Sequence, residues 1–187
     1  GSIYVVVGDA TGHGLNAGMM VSITKAGLYA SDFSKPSITT SRLNQTIKSI
    51  DLGTTRMSLN MTRIKGDSLE FTSAGMPPGY LFNCNNSTSE ELLVPGLPLG
   101  SMKNLKFQSE SFKMNKGDAF VLISDGLPEC ENPKGDMLDY QKVEDCVKKN
   151  GDKSAQGIID SLVNLGENWM DGRMNDDDIT LVVIKKT

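Results

Sequence analysis

Apolar and polar residues fall along this chain in three kinds of stretch. The first kind is short and uninterrupted. Residues 3–7 (Ile-Tyr-Val-Val-Val) and 119–123 (Ala-Phe-Val-Leu-Ile) are β-branched or aromatic runs bounded by glycine and aspartate, and predict buried strands. The second kind alternates with period two. Met57, Leu59 and Met61 alternate with polar residues over 56–64, Lys65-Gly66-Asp67 supplies a turn, and 68–73 returns, which predicts a hairpin. Residues 80–84 predict another short strand, 85–89 a polar loop, and 92–94 and 105–112 weaker strands. The third kind is helical: 15–30, rich in Ala, Met and Leu; 41–50, after Pro36-Ser37 restarts the chain; 140–149; and 154–170. A last strand, 179–184, follows Asp176-Asp177-Asp178. The order is strand, two helices, a strand-rich middle, two helices and a strand. That segregation predicts an α+β fold, with helices packed on antiparallel sheets, in one domain over residues 3–187.

Composition narrows the function classes. A chain of 187 residues can bury a sizeable core. No run reaches the roughly 18 apolar residues needed to span a bilayer, so no membrane contact is expected. Net charge is −4, and the only basic runs are Lys148-Lys149 and Lys185-Lys186, which argues against a nucleic-acid partner. Cys84, Cys130 and Cys146 are odd in number and lack CxxC spacing, so reduced thiols and a cytoplasmic setting are expected. His13 is the only histidine, which excludes multi-histidine metal sites. Any metal must then rest on carboxylates, a donor set suited to Mg²⁺ or Mn²⁺. Gly1-Ser2 reads as a cloning scar, and a strand begins directly after it.

The candidate chemistry sits at strand ends. Three apolar strands each carry an aspartate at an end: Asp9 after Val7-Gly8, Asp125 after Ile123-Ser124, and Asp177 just before Ile179. Alone, an Asp-Gly pair is a common turn and a triple aspartate a solvated loop or helix start. If the three strands are neighbours, the carboxylates meet at one sheet rim. Two like charges about 4 Å apart repel by roughly 4 kcal/mol at an effective dielectric near 20. A divalent ion reverses that balance, and a metal pair can activate a bridging water for in-line attack on phosphate. Gly12-His13-Gly14 opens a helix whose free amides could receive an anion. It lacks the GK[ST] ending of a phosphate-binding loop, so nucleotide binding is not indicated. His13 is a candidate cap, a supporting residue behind the ligands, or a phosphate-facing proton donor. Met19, Met20 and Met57 read as core filler.

Residues 8–17, Gly-Asp-Ala-Thr-Gly-His-Gly-Leu-Asn-Ala, resemble the GD-x-x-GHG-x-x-A motif of the SpoIIE-like, sigma-regulatory branch of the metal-dependent protein phosphatase 2C family. Ser73-Ala74-Gly75-Met76-Pro77-Pro78 is similar to its AGHPP segment, and Leu97-Pro98-Leu99-Gly100 to its PLG turn. Gly117-Asp118 with 122–129 resembles GD…(T/S)DG-L-x-E, and Asp177-Asp178-Ile179-Thr180-Leu181 the closing DD-(I/M)-T-L. Five motifs occur in order over residues 4–184. The resemblance implies an αββα sandwich with a two-metal rim. It implies that Asp9 bridges both metals, that the Ala10 carbonyl is a ligand, and that Asp125 and Asp177 complete the site. Gly12, His13, Gly14 and Asp178 would lie in the phosphate-facing or supporting positions. The implied reaction is hydrolysis of phosphoserine or phosphothreonine by a metal-activated water, on an anti-anti-sigma-type phosphoprotein, under an upstream sensor or receiver domain.

Two departures bear on this. Met76 stands where the family motif has histidine. The family's further acidic ligand, on a strand upstream of the GHG motif, has no counterpart here, so an N-terminally truncated sheet is expected. Its exposed edge would invite pairing with a second copy as a homodimer. The alternative reading is a catalytically inactive pseudophosphatase acting as a signalling or dimerisation module.

Overall fold

A computed structural model describes residues 1–187. Its elements are β1 (Ile3–Ala10), α1 (Leu15–Tyr29), α2 (Pro36–Ile50), β2 (Met57–Lys65), β3 (Ser68–Ala74), β4 (Gly79–Asn83), β5 (Thr88–Leu92), β6 (Glu110–Lys113), β7 (Ala119–Ile123), α3 (Tyr140–Asn150), α4 (Ala155–Met170) and β8 (Leu181–Lys185). They form two compact units, residues 1–76 with 94–113, and residues 77–93 with 114–187. Each holds one four-stranded antiparallel sheet and two helices. The α+β class is as the residue pattern predicts.

The first unit orders its sheet β1-β2-β3-β6. Lys65 pairs with Ser68 across a two-residue turn, and Gly66 takes the positive φ that such a turn needs at its first position. Period two then decides the packing. Met57, Leu59 and Met61 share one face of β2 and cluster with Met20 of α1 and Leu43 and Ile47 of α2. Met19, by contrast, is exposed rather than core. Helix α2 begins at Pro36, not near residue 41: proline at the first helical position presets φ and gives up an N–H that would be unpaired anyway. Within it, buried Asn44 accepts from the Gly100 amide at 2.9 Å and donates to the Met102 carbonyl at 3.0 Å. Leu99 in turn exchanges both backbone hydrogen bonds with Met57, at 2.7 and 3.2 Å. Strand β6 is shorter than the apolar signal over 105–112, because Phe107 is spent on the helix-facing core and donates its amide to Ser41 instead of a ladder.

The second unit orders its sheet β5-β4-β7-β8. Strand β7 is buried at every residue. One of its faces packs with Val143 and Val147 of α3 and Ile158 and Leu162 of α4. Both helices are capped by side chains, Asp139 accepting from the Lys142 amide and Ser154 from the Gly157 amide. Lys148 and Lys149 fall in the last turn of α3, where cations complement the helix dipole. Strand β5 occupies 88–92 rather than 92–94. It is an edge strand with mostly polar, exposed residues, and Leu92 alone is fully buried, so no apolar alternation announces it. The polar loop expected at 85–89 is correspondingly shorter.

Asp118 locks the β7 entry. Its carboxylate is buried and accepts from the amides of Cys84 (2.9 Å) and Asn115 (2.7 Å). Burial pushes its pKa up, but the Cys84 and Asn115 donors outweigh that and hold it below the usual 3.8. A depressed folded-state value stabilises above the unfolded pKa and is lost as pH falls through the folded one. Asp118→Asn should therefore cost about 1–3 kcal/mol at neutral pH. Urea unfolding should also show a shallower loss of stability for the variant than for the wild type between about pH 5 and pH 3.

Candidate metal centre

The predicted site residues divide between the two units. Asp9 and Ala10 close β1 in the first; Asp125 and Asp177 flank β7 and β8 in the second. The condition that the three strands be neighbours in one sheet is not met: β7 and β8 are adjacent, but β1 pairs with β2 in the other sheet.

In the second unit the β7–β8 ladder ends at Ile123 opposite Leu181. One rung further, the Ser124 amide donates to the Thr180 carbonyl at 3.0 Å, and the Thr180 amide donates to the Ser124 hydroxyl oxygen at 2.9 Å. That hydroxyl donates to the Asp178 carbonyl at 3.1 Å. Gly126 is required next: a Cβ there would sit 2.3 Å from the Asp178 carbonyl oxygen. The Asn175 amide joins the two loops, donating to the Gly126 carbonyl at 3.1 Å and the Asp177 carbonyl at 2.5 Å. Thus held, Asp125 and Asp177 bring a carboxylate oxygen each to within 4.8 Å.

The three consecutive aspartates take different roles. Asp176 pairs with Arg173, which also bridges to Glu131 at 2.7 Å. Asp178 contributes its backbone to Ser124, and its amide donates to Asp177 Oδ1 at 2.8 Å. Asp177 keeps a carboxylate beside Asp125. Asp125 Oδ1 is buried and has no hydrogen-bond donor. A buried carboxylate oxygen without a donor is costly, and a hard cation is the natural partner for it with a second carboxylate alongside. Nearby, burial and then the Glu129 and Asp125 charges push the Tyr140 phenol up to about 12. The residues present thus fit an oxygen-coordinated divalent metal.

In the first unit, Ala10 lies opposite Met57. Both Met57 backbone groups are committed to Leu99, so the Ala10 carbonyl takes no part in the β1–β2 ladder. The next pair is held on both sides: the Thr11 amide donates to the Arg56 carbonyl at 3.0 Å, and the Arg56 amide donates to Thr11 Oγ1 at 2.8 Å. The chain then turns through Gly12 and Gly14, both near φ +80. Helix α1 starts at Leu15 with Gly14 as its N-cap and no side-chain cap. His13 is exposed and does not cap it, which removes the capping role considered for that ring. Ser124, Thr11, Asn175 and Asn44 were missed as supporting residues. Their signal is only partial: Ser124 and Thr11 stand inside the quoted motifs, whereas Asn44 and Asn175 stand outside them and reach Gly100 and Gly126, which are distant in sequence.

Comparison with known proteins identifies the fold and the family. The backbone matches solved phosphatase 2C domains, among them the SiaA-PP2C domain of Pseudomonas aeruginosa, with a TM-score of 0.84 at 16% identity over 100% of this chain and 80% of that one. The catalytic domain of the serine/threonine protein phosphatase PstP, solved with two manganese ions, matches at TM-score 0.66 and 16% identity over 96% of this chain and 86% of that one. The whole chain, residues 1–187, matches the family Stage II sporulation protein E (SpoIIE), and it belongs to that branch of the phosphatase 2C fold. A curated relative, phosphoserine phosphatase RsbU of Bacillus subtilis (strain 168), is 28% identical over 195 residues, covering 99% of this chain. The chain spans 56% of that relative's length.

Because a backbone oxygen faces Gly126, Gly126→Ala should displace the Asp177–Asp178 loop. Chemical denaturation should register a loss of about 1–3 kcal/mol, the scale of an overpacked contact.

Proposed function

We propose that this chain is the catalytic domain of a metal-dependent phosphoprotein phosphatase, its two units acting as halves of one domain. On the motif of residues 8–17, Asp9 and the Ala10 carbonyl are proposed as further ligands of Mn²⁺ or Mg²⁺ alongside the carboxylates of Asp125 and Asp177. The observation that carries the reading is the donor-less, buried oxygen of Asp125 held beside Asp177. When bound, the ions supply the positive charge that acidifies an attacking water and offsets the phosphate's own charge. The chain's residues do the rest. Asp125 and Asp177 fix where that charge sits. The uncapped first turn of α1, entered through Gly12 and Gly14, directs free amides toward an anion, where they would orient the phosphoryl oxygens. His13, exposed at that turn, would hand a proton to the departing hydroxyl, and Asp178 supports Asp177 through its amide.

The substrate proposed is a phosphoserine or phosphothreonine on a cytoplasmic, anti-anti-sigma-type regulatory protein, in keeping with the family and with the name of its RsbU relative. An upstream sensor or receiver domain and a homodimer belong to the same reading. No helix is long and apolar enough to cross a membrane.

Hydrolysis of p-nitrophenyl phosphate with and without Mn²⁺ tests the activity. Metal-stimulated turnover is expected. Asp125→Asn should lower it by at least about 100-fold, the scale lost with one preorganised electrostatic group. Without metal, the same variant should melt at or above the wild-type temperature, since it removes an uncompensated buried charge. Wild-type protein that binds Mn²⁺ yet turns over nothing, even with a phosphoserine peptide, would instead establish the inactive signalling module.

A further inference from the structure

The two units end their aspartate-bearing strands with one and the same hydrogen-bond device. In an antiparallel ladder, a hydrogen-bonded pair normally exchanges two backbone N–H···O bonds. At Thr11–Arg56 only one is backbone to backbone, and Thr11 Oγ1 takes the second amide in place of the Thr11 carbonyl. At Ser124–Thr180 the pattern repeats, with the Ser124 hydroxyl oxygen in place of the Ser124 carbonyl. Each hydroxyl keeps the partner strand satisfied while the main chain leaves the sheet. Thr11 does so two residues after Asp9, and Ser124 immediately before Asp125.

We infer that Thr11 and Ser124 are positioning residues of the proposed metal centre: their hydroxyls close the last rung of each ladder and so set Asp9, Ala10 and Asp125 at the angle needed to bind a divalent ion. Neither hydroxyl is itself offered as a ligand. Ser124 is buried and its hydroxyl is already committed to Asp178 and Thr180; the Thr11 oxygen is committed to Arg56. The inference rests on the metal reading above, and the experiment separates the two.

Mn²⁺ affinity is measured on the full chain by calorimetry and by the electron paramagnetic resonance signal of free Mn²⁺, alongside near-ultraviolet circular dichroism. The variants are Thr11→Val, which keeps the shape and loses the acceptor, Thr11→Ser, which keeps the acceptor, Ser124→Ala, Ser124→Thr and Asp125→Asn. Thr11→Val and Ser124→Ala should each weaken Mn²⁺ binding about tenfold, at the lower end of losses seen when groups supporting metal ligands are removed. Thr11→Ser and Ser124→Thr should return to within about twofold of wild type, as expected when the supporting hydrogen bond is kept. Thr11 is exposed, so its pair of variants decides the matter even where Ser124→Ala fails to fold. Asp125→Asn binding Mn²⁺ as tightly as wild type overturns the metal reading itself. Loss in Asp125→Asn together with wild-type affinity in Thr11→Val, or with equal loss in Thr11→Ser and Thr11→Val, overturns the positioning role alone.

Discussion

A buried carboxylate oxygen with no donor, at Asp125, held close to a second carboxylate at Asp177, is the constraint around which the second unit is organised. Left to themselves, two such loops would separate and hydrate. What prevents this is a set of neutral contacts that do not touch the carboxylates' free oxygens. The Asn175 amide clamps two carbonyls, the Ser124 hydroxyl clamps a third, and the absence of a side chain at Gly126 lets the backbones approach. The second unit thus holds negative charge in place by hydrogen-bonding the backbone around it, leaving carboxylate oxygens available for a cation. Rigid support of that kind is what a preorganised electrostatic site requires.

The strand cores were legible because 119–123, buried at every residue, and 3–7 are unbroken apolar runs, although in 3–7 only Val7 is fully buried and Ile3 is exposed, and because β2 alternates with period two. The helices were legible from composition, though α2 hides its first turn behind Pro36. Strand β5 was not legible: its edge position lets polar residues stand where alternation would otherwise show. The placement of β1 in a different sheet from β7 and β8 was equally out of reach, since strand partners are chosen by hairpin connectivity and register rather than by any property of residues 3–10.

The site was legible to a different depth. Asp9, Asp125 and Asp177 announced themselves by standing at the ends of apolar strands. Their supports did not, because each acts through a backbone group elsewhere. Asn44 looks like any polar residue of an amphipathic helix, yet it is buried and holds Gly100 and Met102. Leu99, in the same turn, pairs with Met57, while the Ala10 carbonyl lies outside the ladder because 10–57 is a non-hydrogen-bonded rung. The register of the β1–β2 pair thereby sets one backbone carbonyl, and no local pattern in residues 3–10 encodes that register.

Asp176, Asp177 and Asp178 show the same limit at its sharpest. As three identical side chains in a row, they carry no internal information about which of them serves chemistry. Arg173 and Glu131 decide for Asp176, by drawing it into an ion-pair network. Gly126 and Ser124 decide for Asp178, by consuming its carbonyl at close range. Asp177 is left as the one whose carboxylate stands beside Asp125. Apart from Arg173, three positions from Asp176, the residues that assign function within the run lie about 45 to 55 positions away along the chain, across the β7–β8 register.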